Sequence, residues 1–351
     1  MATPGACKIT NPMLLSKHIH MFHRPFHRSQ CSLTKMTASL LILLALSISI
    51  QSQTNPTYAE KLGWGPKDVV VILHVDDVGM SHSSNAGAIQ AVEHGLATSW
   101  AVMMPCAWVS EIAYYLGENP DIDSGLHLTL TSEWKSYRWG PLAGKSVVPG
   151  LVDNEGCLWR SVPQVLAKAS ADEVELEIRA QVDRAETMGM PITHLDSHMG
   201  TLFAHPEYFK RYVKIGIEKQ IPILAPGGHL TYATKENGAS VKALKPFIDQ
   251  VWSAGLPVID DLHTDSYGWP ADSKPERLSQ LLKSLKPGIT EILFHASEPS
   301  DVFPLITGSS ESRKGDLEAL TSDLVRNTIK EENIILTTWK ELMDRRRKVQ
   351  P

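Results

Sequence analysis

The sequence predicts an α/β fold, a TIM-like (β/α) barrel in a single domain with its functional groups at the C-terminal ends of the strands. Two observations carry this. From about residue 69, short β-branched runs alternate with longer amphipathic stretches, about eight times over the rest of the chain. Such alternation marks a parallel sheet covered by helices, and eight repeats suit closure into a barrel better than the competing open, doubly wound sheet. The second observation is that carboxylates and imidazoles end run after run, where the loops of a barrel converge.

The runs are VVVILHV (69–75), ATSWAVMM (97–104), DSGLHLTL (123–130), ITHLD (192–196), IPILA (221–225), PVID (257–260), EILFH (291–295) and IILTT (334–338). Helices are predicted between them at 84–94, 107–117, 172–189, 206–219, 240–254, 275–286 and 316–330, with a last one from Trp339. The 172–189 stretch is the best punctuated: Ser170 can cap it, acids crowd its first turn, and Gly189 and Pro191 close it. Two segments interrupt the rhythm. Residues 131–165 carry Trp134, Tyr137, Trp139 and Trp159 among Gly and Pro, and 296–315 follow the seventh run. Aromatics in such loops either stack on sugar rings or pin the loop to the barrel.

Residues 1–59 read as a leader, and 60–351 as the folded domain. The leader has five basic residues and no acidic one, and at 39–50 it holds the uncharged run SLLILLALSISI. Twelve residues are too few to span a bilayer as a helix but match the apolar core of a secretory signal, so the chain is expected to be exported to a periplasmic or extracellular space, with no membrane span in the mature protein. Cleavage after Ser52 or after Ala59 would each leave a small residue at the cut. Met36 begins a more typical signal than Met1, which points to a start codon placed too early. His18, His20, His23 and His27 then belong to a basic leader.

Beyond residue 59 the chain carries 29 basic against 39 acidic residues. A domain that acidic excludes nucleic-acid binding through phosphate contacts as its main function. Cys106 and Cys157 have neither zinc-finger nor redox spacing and read as independent thiols. Self-association stays open.

Asp76 and Asp77 end the first run, His127 lies in the third, Asp196 and His198 end the fourth, Asp260, Asp261 and His263 follow the sixth, and His295 ends the seventh. Charges beside buried strands are costly unless paired or bound to metal. Two imidazoles and one carboxylate around one rim make a facial site suited to Zn²⁺ in hydrolysis or Fe²⁺ in oxygenases, whereas Mg²⁺ prefers more oxygen. Asp196 is placed to orient a ligating imidazole. Asp260, Asp261 and His263 read equally as substrate-binding or as structural, and His74 and His194 read as buried hydrogen-bonding residues.

These residues carry a resemblance. HVDDVGMSHSSNAGAIQAVEHGLATS, SGLHLTLTSEW, PITHLDSHMGT and a late strand ending in His, in that order, resemble the YdjC-like carbohydrate deacetylases over about residues 68–342. That family includes the chitooligosaccharide deacetylases and a branch tied to hopanoid biosynthesis. The resemblance implies one divalent ion, Mg²⁺ or Zn²⁺, on Asp77, His127 and His198. It implies Asp76 as general base and His295 as general acid, and an N-acetylated amino sugar or oligosaccharide as substrate. The chain departs from the family where Ala296 replaces a common Pro, and where Met199-Gly200-Thr201 replaces further histidines after His198. Two other readings compete: a metal hydrolase of another amide or ester, and a non-catalytic carbohydrate-binding barrel.

Overall fold

Residues 55–349 are described by a computed structural model, and residues 1–54, with the apolar run, the four leader histidines and Met36, lie outside the described residues. The β-branched runs form seven parallel strands there: β1 (Val69–Val78), β2 (Ser99–Val102), β3 (Ser124–Leu128), β4 (Leu195–Ser197), β5 (Asp261–His263), β6 (Gly288–Phe294) and β7 (Ile335–Leu336). They lie in the order β4-β3-β2-β1-β6-β5, and β7 pairs with the start of β1 through Val70–Ile335 and Val71–Leu336. Helices fill the crossovers, which makes one α/β domain with a curved, loosely barrel-like parallel sheet.

The expected ring of eight strands is corrected at one side. IPILA (221–225) forms no strand; it gives isolated bridges, Leu195 with Ile223 and Pro226 with Ile259. The reason is local, because Pro222 and Pro226 bring no N–H to a ladder and Gly227-Gly228 follow at once. Pro257 acts likewise on the sixth run, whose strand starts only at Asp261. The bridges still carry main-chain bonding from β4 toward β5, through Leu224 N–H to the Leu195 carbonyl (2.8 Å) and Gly227 N–H to that of Ile259 (2.9 Å).

Most helices fall where the pattern placed them. Helix Ala171–Thr187 begins with a reciprocal cap: the Glu173 N–H donates to Ser170 Oγ (3.2 Å) and the Ser170 N–H to Glu173 Oε2 (2.8 Å). The single helix expected over 316–330 is two, Ser310–Leu320 and Asp323–Glu331. The break comes at Thr321-Ser322, where Thr321 Oγ1 donates back to the Leu317 carbonyl (2.8 Å) and Ser322 turns extended. The first of the two starts inside the long 296–315 loop, which matters below. Among the described residues no helix is long and apolar enough to cross a membrane.

The described chain starts at Asn55, and Tyr58 and Ala59 are packed structure: both are buried, and their N–H groups donate to the Asp260 carboxylate at 2.8 and 3.1 Å.

Strand register fixes what faces the barrel interior, since residues opposed in a parallel ladder share a face. His74 opposes Ser99 and Leu293, His127 opposes Asp196, and Leu262 opposes Glu291. The alternate residues Leu73, Val75, Leu126 and Leu195 point outward and are fully buried under the helices. Each such side chain contributes about 1.5–3 kcal/mol of burial free energy.

Candidate active site

β1 delivers two consecutive carboxylates to one rim, which a regular strand cannot do because neighbouring side chains alternate faces. A bulge solves this. Val75 pairs with Trp100 and Val78 with Val102, so β1 spends one residue more than β2 over the same span. Asp77 takes up the excess at φ 63, a left-handed conformation that Asp tolerates better than most residues. Gly79 follows at φ 84, where a Cβ would lie 2.8 Å from Val109 Cγ2.

Three groups converge there. Asp77 Oδ1 lies 3.2 Å from His198 Nδ1 and 3.5 Å from His127 Nε2. All three ligand atoms fall within 4.8 Å of one another, all are buried, and Asp77 Oδ1 has no hydrogen-bond partner. The other ring nitrogens are engaged: His127 Nδ1 meets Asp196 Oδ1 at 2.6 Å, and His198 Nε2 meets Glu133 Oε2 at 3.2 Å. Carboxylates on those nitrogens select the tautomers that leave His127 Nε2 and His198 Nδ1 as lone-pair donors. An orphaned carboxylate oxygen facing two such nitrogens fits a divalent cation. Two further triads, His74-His194-Asp196 and Asp76-His127-Asp196, share Asp196, whose oxygens are already taken by His127 and by His74 at 3.1 Å.

Asp76 sits beside this cluster. Its Oδ1 is 3.2 Å from His74 Nε2 and 3.4 Å from His127 Nδ1, and its Oδ2 is 3.8 Å from His295 Nε2. His74, read from the sequence as a buried hydrogen-bonding residue, joins Asp76 to Asp196. Burial disfavours its charge, but Glu291, Asp196 and Asp76 outweigh burial and hold its pKa well above the ordinary value. Burial likewise opposes charge on His198, and Glu133 and Asp77 lift it to about 10 in the metal-free cluster, so a cation bound there would displace the Nδ1 proton. At His295 burial wins: with Asp77 pulling upward and Arg313 downward, the pKa settles at about 4, a neutral ring at pH 7.

Three functional neighbours were missed. Arg313, on helix Ser310–Leu320, donates from Nη2 to Asp77 Oδ2 at 2.6 Å. Burial raises the Asp77 carboxyl, but Arg313 and then His198 overcome that and hold it well below the carboxylate range. Tyr267 packs edge-on against His295 with ring centres 4.7 Å apart. The Arg313 guanidinium lies 5.7 Å from the Trp134 ring and 5.6 Å from that of Tyr267. Glu133 and Arg313 both belong to the long loops that break the strand–helix rhythm, the only sequence signal that marked them. His295 is itself held from behind, its N–H on Asp316 Oδ2 (2.9 Å) and Asp316 on Lys274 Nζ (2.5 Å).

The loop aromatics divide. Trp139 Nε1 donates to the Thr131 carbonyl (2.9 Å), Trp159 Nε1 to that of Gly150 (2.7 Å) and Tyr137 to that of Met80 (2.5 Å), so these three pin the loop. Trp134 alone of the four faces Arg313. Asp260 receives backbone N–H groups of Tyr58, Ala59 and Ile289, and Asp261 those of Tyr232, Ala233 and Leu262, so both serve the scaffold. His263 packs between Tyr232 and Trp269, away from the cluster. Cys106 and Cys157 are free thiols.

Residues 70–331 match the family described as YdjC-like protein. The chain belongs to that family. A carbohydrate deacetylase of Thermus thermophilus is 32% identical over 81% of this chain and 97% of its own length. A carbohydrate deacetylase of Thermoanaerobacter pseudethanolicus is 26% identical over 78% and 98%. The crystal structure of an Enterococcus faecalis V583 protein superposes with a TM-score of 0.67 at 22% identity, covering 78% of this chain and 99% of that one, a likeness of fold.

Proposed function

We propose that this YdjC-like chain is a carbohydrate N-deacetylase that depends on one divalent metal ion and removes N-acetyl groups from amino sugars or their oligosaccharides. The observation that carries the reading is the convergence of Asp77 Oδ1, His127 Nε2 and His198 Nδ1 beside a second buried carboxylate oxygen, Asp76 Oδ1, that also lacks a hydrogen-bond partner. The full-length relatives named carbohydrate deacetylase support the substrate class.

A bound divalent ion would supply Lewis acidity, lowering the pKa of a coordinated water from 15.7 toward about 7 and polarising the acetyl carbonyl. The chain's own residues do the rest. Asp76 accepts the proton of the attacking water. His74 and His127 stand beside Asp76 as cationic neighbours at 3.2 and 3.4 Å, and Arg313 holds Asp77 on the oxygen turned away from the ligand position. His295 is a neutral imidazole before the reaction, so it must gain a proton before it can donate one to the departing amine. Asp76 Oδ2, at 3.8 Å, is its nearest source. Tyr267, packed against His295, and Trp134, beside Arg313, offer aromatic faces to a sugar ring.

The test strips the purified protein of metal and follows acetate release from N-acetylglucosamine oligomers after adding Zn²⁺ or Mg²⁺. Release that needs metal and vanishes in His127→Ala supports the reading and selects the ion; tight metal binding without release from any acetamide overturns it. We also propose export, on the apolar run at 39–50. Cleavage upstream of Asn55 would spare the Tyr58 and Ala59 bonds to Asp260, and cell fractionation with N-terminal sequencing checks both.

A further inference from the structure

The turn that carries Tyr267 joins the site to a second concavity. Asp265–Gly268 is a short 3₁₀ turn after β5, tied to the elements that bear catalytic groups. Ser266 Oγ donates to the carbonyl of Leu293, two residues before His295, and Ser312, next to Arg313, donates from Oγ to the Tyr267 carbonyl at 2.8 Å. The Tyr267 ring centre lies 4.7 Å from that of His295, yet the residue stays 39% exposed. Tyr267 also lines a cleft of about 810 Å³ between helix Thr231–Asn237 and helix Lys274–Ser284. Pockets of about 300–1,000 Å³ enclose whole organic ligands, so this one has room for a sugar unit beyond the unit that reacts.

The lining suits a sugar. Trp269 and Tyr232 are half-buried in it and offer amphipathic rings to a pyranose. Between them His263 is more than nine-tenths buried, 5.3 Å from the Trp269 ring and 5.4 Å from that of Tyr232, and its Nδ1 has no hydrogen-bond partner. Its Nε2 stands 3.5 Å from Glu236 Oε1, and burial lowers its pKa to about 4, a neutral ring at pH 7. With the proton on the nitrogen facing Glu236, Nδ1 is a buried acceptor that a ligand hydroxyl would satisfy. Along the walls Lys235 and Arg277 balance Glu236 and Asp265, which suits an uncharged, hydroxylated ligand better than a phosphorylated one. When the departing nitrogen is at His295, the sugar ring that bears it lies against Tyr267, and a unit linked to that ring passes Tyr267 into the cleft. We infer that this cleft is a subsite for the sugar next to the one that loses its acetyl group, with Trp269 as its platform, and that the preferred substrate is an N-acetylated oligosaccharide rather than the free amino sugar. This rests on the deacetylase reading and names its chain-length specificity; the chemistry at the reacting unit is unchanged and releases acetate.

The experiment measures kcat/KM for acetate release from N-acetylglucosamine, its methyl β-glycoside and its β-1,4-linked dimer and trimer, in the metal-loaded protein and in variants of the cleft. The dimer is expected to exceed both monosaccharides by at least about tenfold, since contacts remote from the reacting bond are realised in the transition state. Gln280→Trp, at an exposed position on the cleft wall, fills the cleft; it should erase that advantage and leave N-acetylglucosamine turnover within about threefold. Trp269→Ala should raise KM for the dimer and cut the dimer-to-monosaccharide ratio by at least about fivefold, and Trp269→Phe should restore most of it. Should Trp269→Ala not fold, Gln280→Trp decides. Equal kcat/KM for all four compounds, a gain already complete in the methyl glycoside, or a dimer advantage that survives Gln280→Trp overturns the subsite and leaves the deacetylase reading standing. No acetate from any compound overturns that reading as well.

Discussion

The two sides of the barrel mouth are made of the same parallel strands yet solve opposite problems. On β1–β4 the inward positions carry His74, Asp76, His127, Asp196 and His198, all buried. Such groups are tolerable in a core only when each meets an opposite charge or a donor, and here Asp196 is shared by His127 and His74 while Asp77 is shared by Arg313 and His198. On β5–β6 the inward positions Leu262 and Leu293 are apolar and border a cavity of about 380 Å³, before His295 beyond β6 returns to the polar cluster. Charge pairing fixes positions to fractions of an ångström, as catalysis requires; an apolar wall imposes no such pairing. Glu291, opposed to Leu262 and facing His74 at 3.9 Å, is the seam between them.

The largest effects should come from the polar side. Asp77→Asn or His127→Ala should abolish metal binding by calorimetry and lower kcat/KM by at least about 10³-fold, and should also lower the melting temperature of the metal-free protein, because buried Arg313 or Asp196 loses a partner. Retained binding in either variant would move the site elsewhere. Next, Asp196→Asn should weaken metal affinity about 10–100-fold by freeing the His127 ring, without removing a ligand. A loss as complete as that of His127→Ala would make Asp196 itself a ligand.

Packing of that side is tested by Gly125→Ala, whose Cβ would lie 2.4 Å from His194 Cε1. His194 is wedged against Trp339, 5.3 Å away and nearly parallel, and cannot retreat. A loss of about 1–3 kcal/mol in denaturant unfolding is expected.

The smallest effect belongs to the seam. Burial, opposed by His74, pushes the Glu291 carboxyl up to about 8. A folded pKa above the unfolded one means that the native state keeps a proton the unfolded chain releases. The associated stability is full below about pH 4.3 and is lost as pH rises through 8. Glu291→Gln should therefore flatten the decline in urea stability between pH 5 and pH 8; an unchanged slope would mean that Glu291 is ionised in the fold.

The polar side was largely legible beforehand because its residues are strand residues. Asp76, Asp77, His127 and His198 end or occupy apolar runs, and a strand end in a parallel α/β domain has one place to be. Arg313, Tyr267 and Glu133 were not legible, because they sit on loops and on a helix beginning inside a loop, where no period assigns a face. The apolar side failed differently. The runs 221–225 and 257–260 look like strands by composition, but prolines remove the donors a ladder needs.

What the sequence determined by itself is the order of strands and helices, the β-branched and amphipathic periods that make a parallel sheet, and which strands bear carboxylate and imidazole. The tertiary structure alone decided that Asp77 turns back beside Asp76, since one inserted residue and one left-handed φ reverse a side chain without altering the apolar pattern. It alone decided that Arg313, 236 residues away, grips that carboxylate. It also decided that an apolar cavity opens beside β5 and β6, because a cavity is a relation among distant side chains and leaves no mark on any one of them.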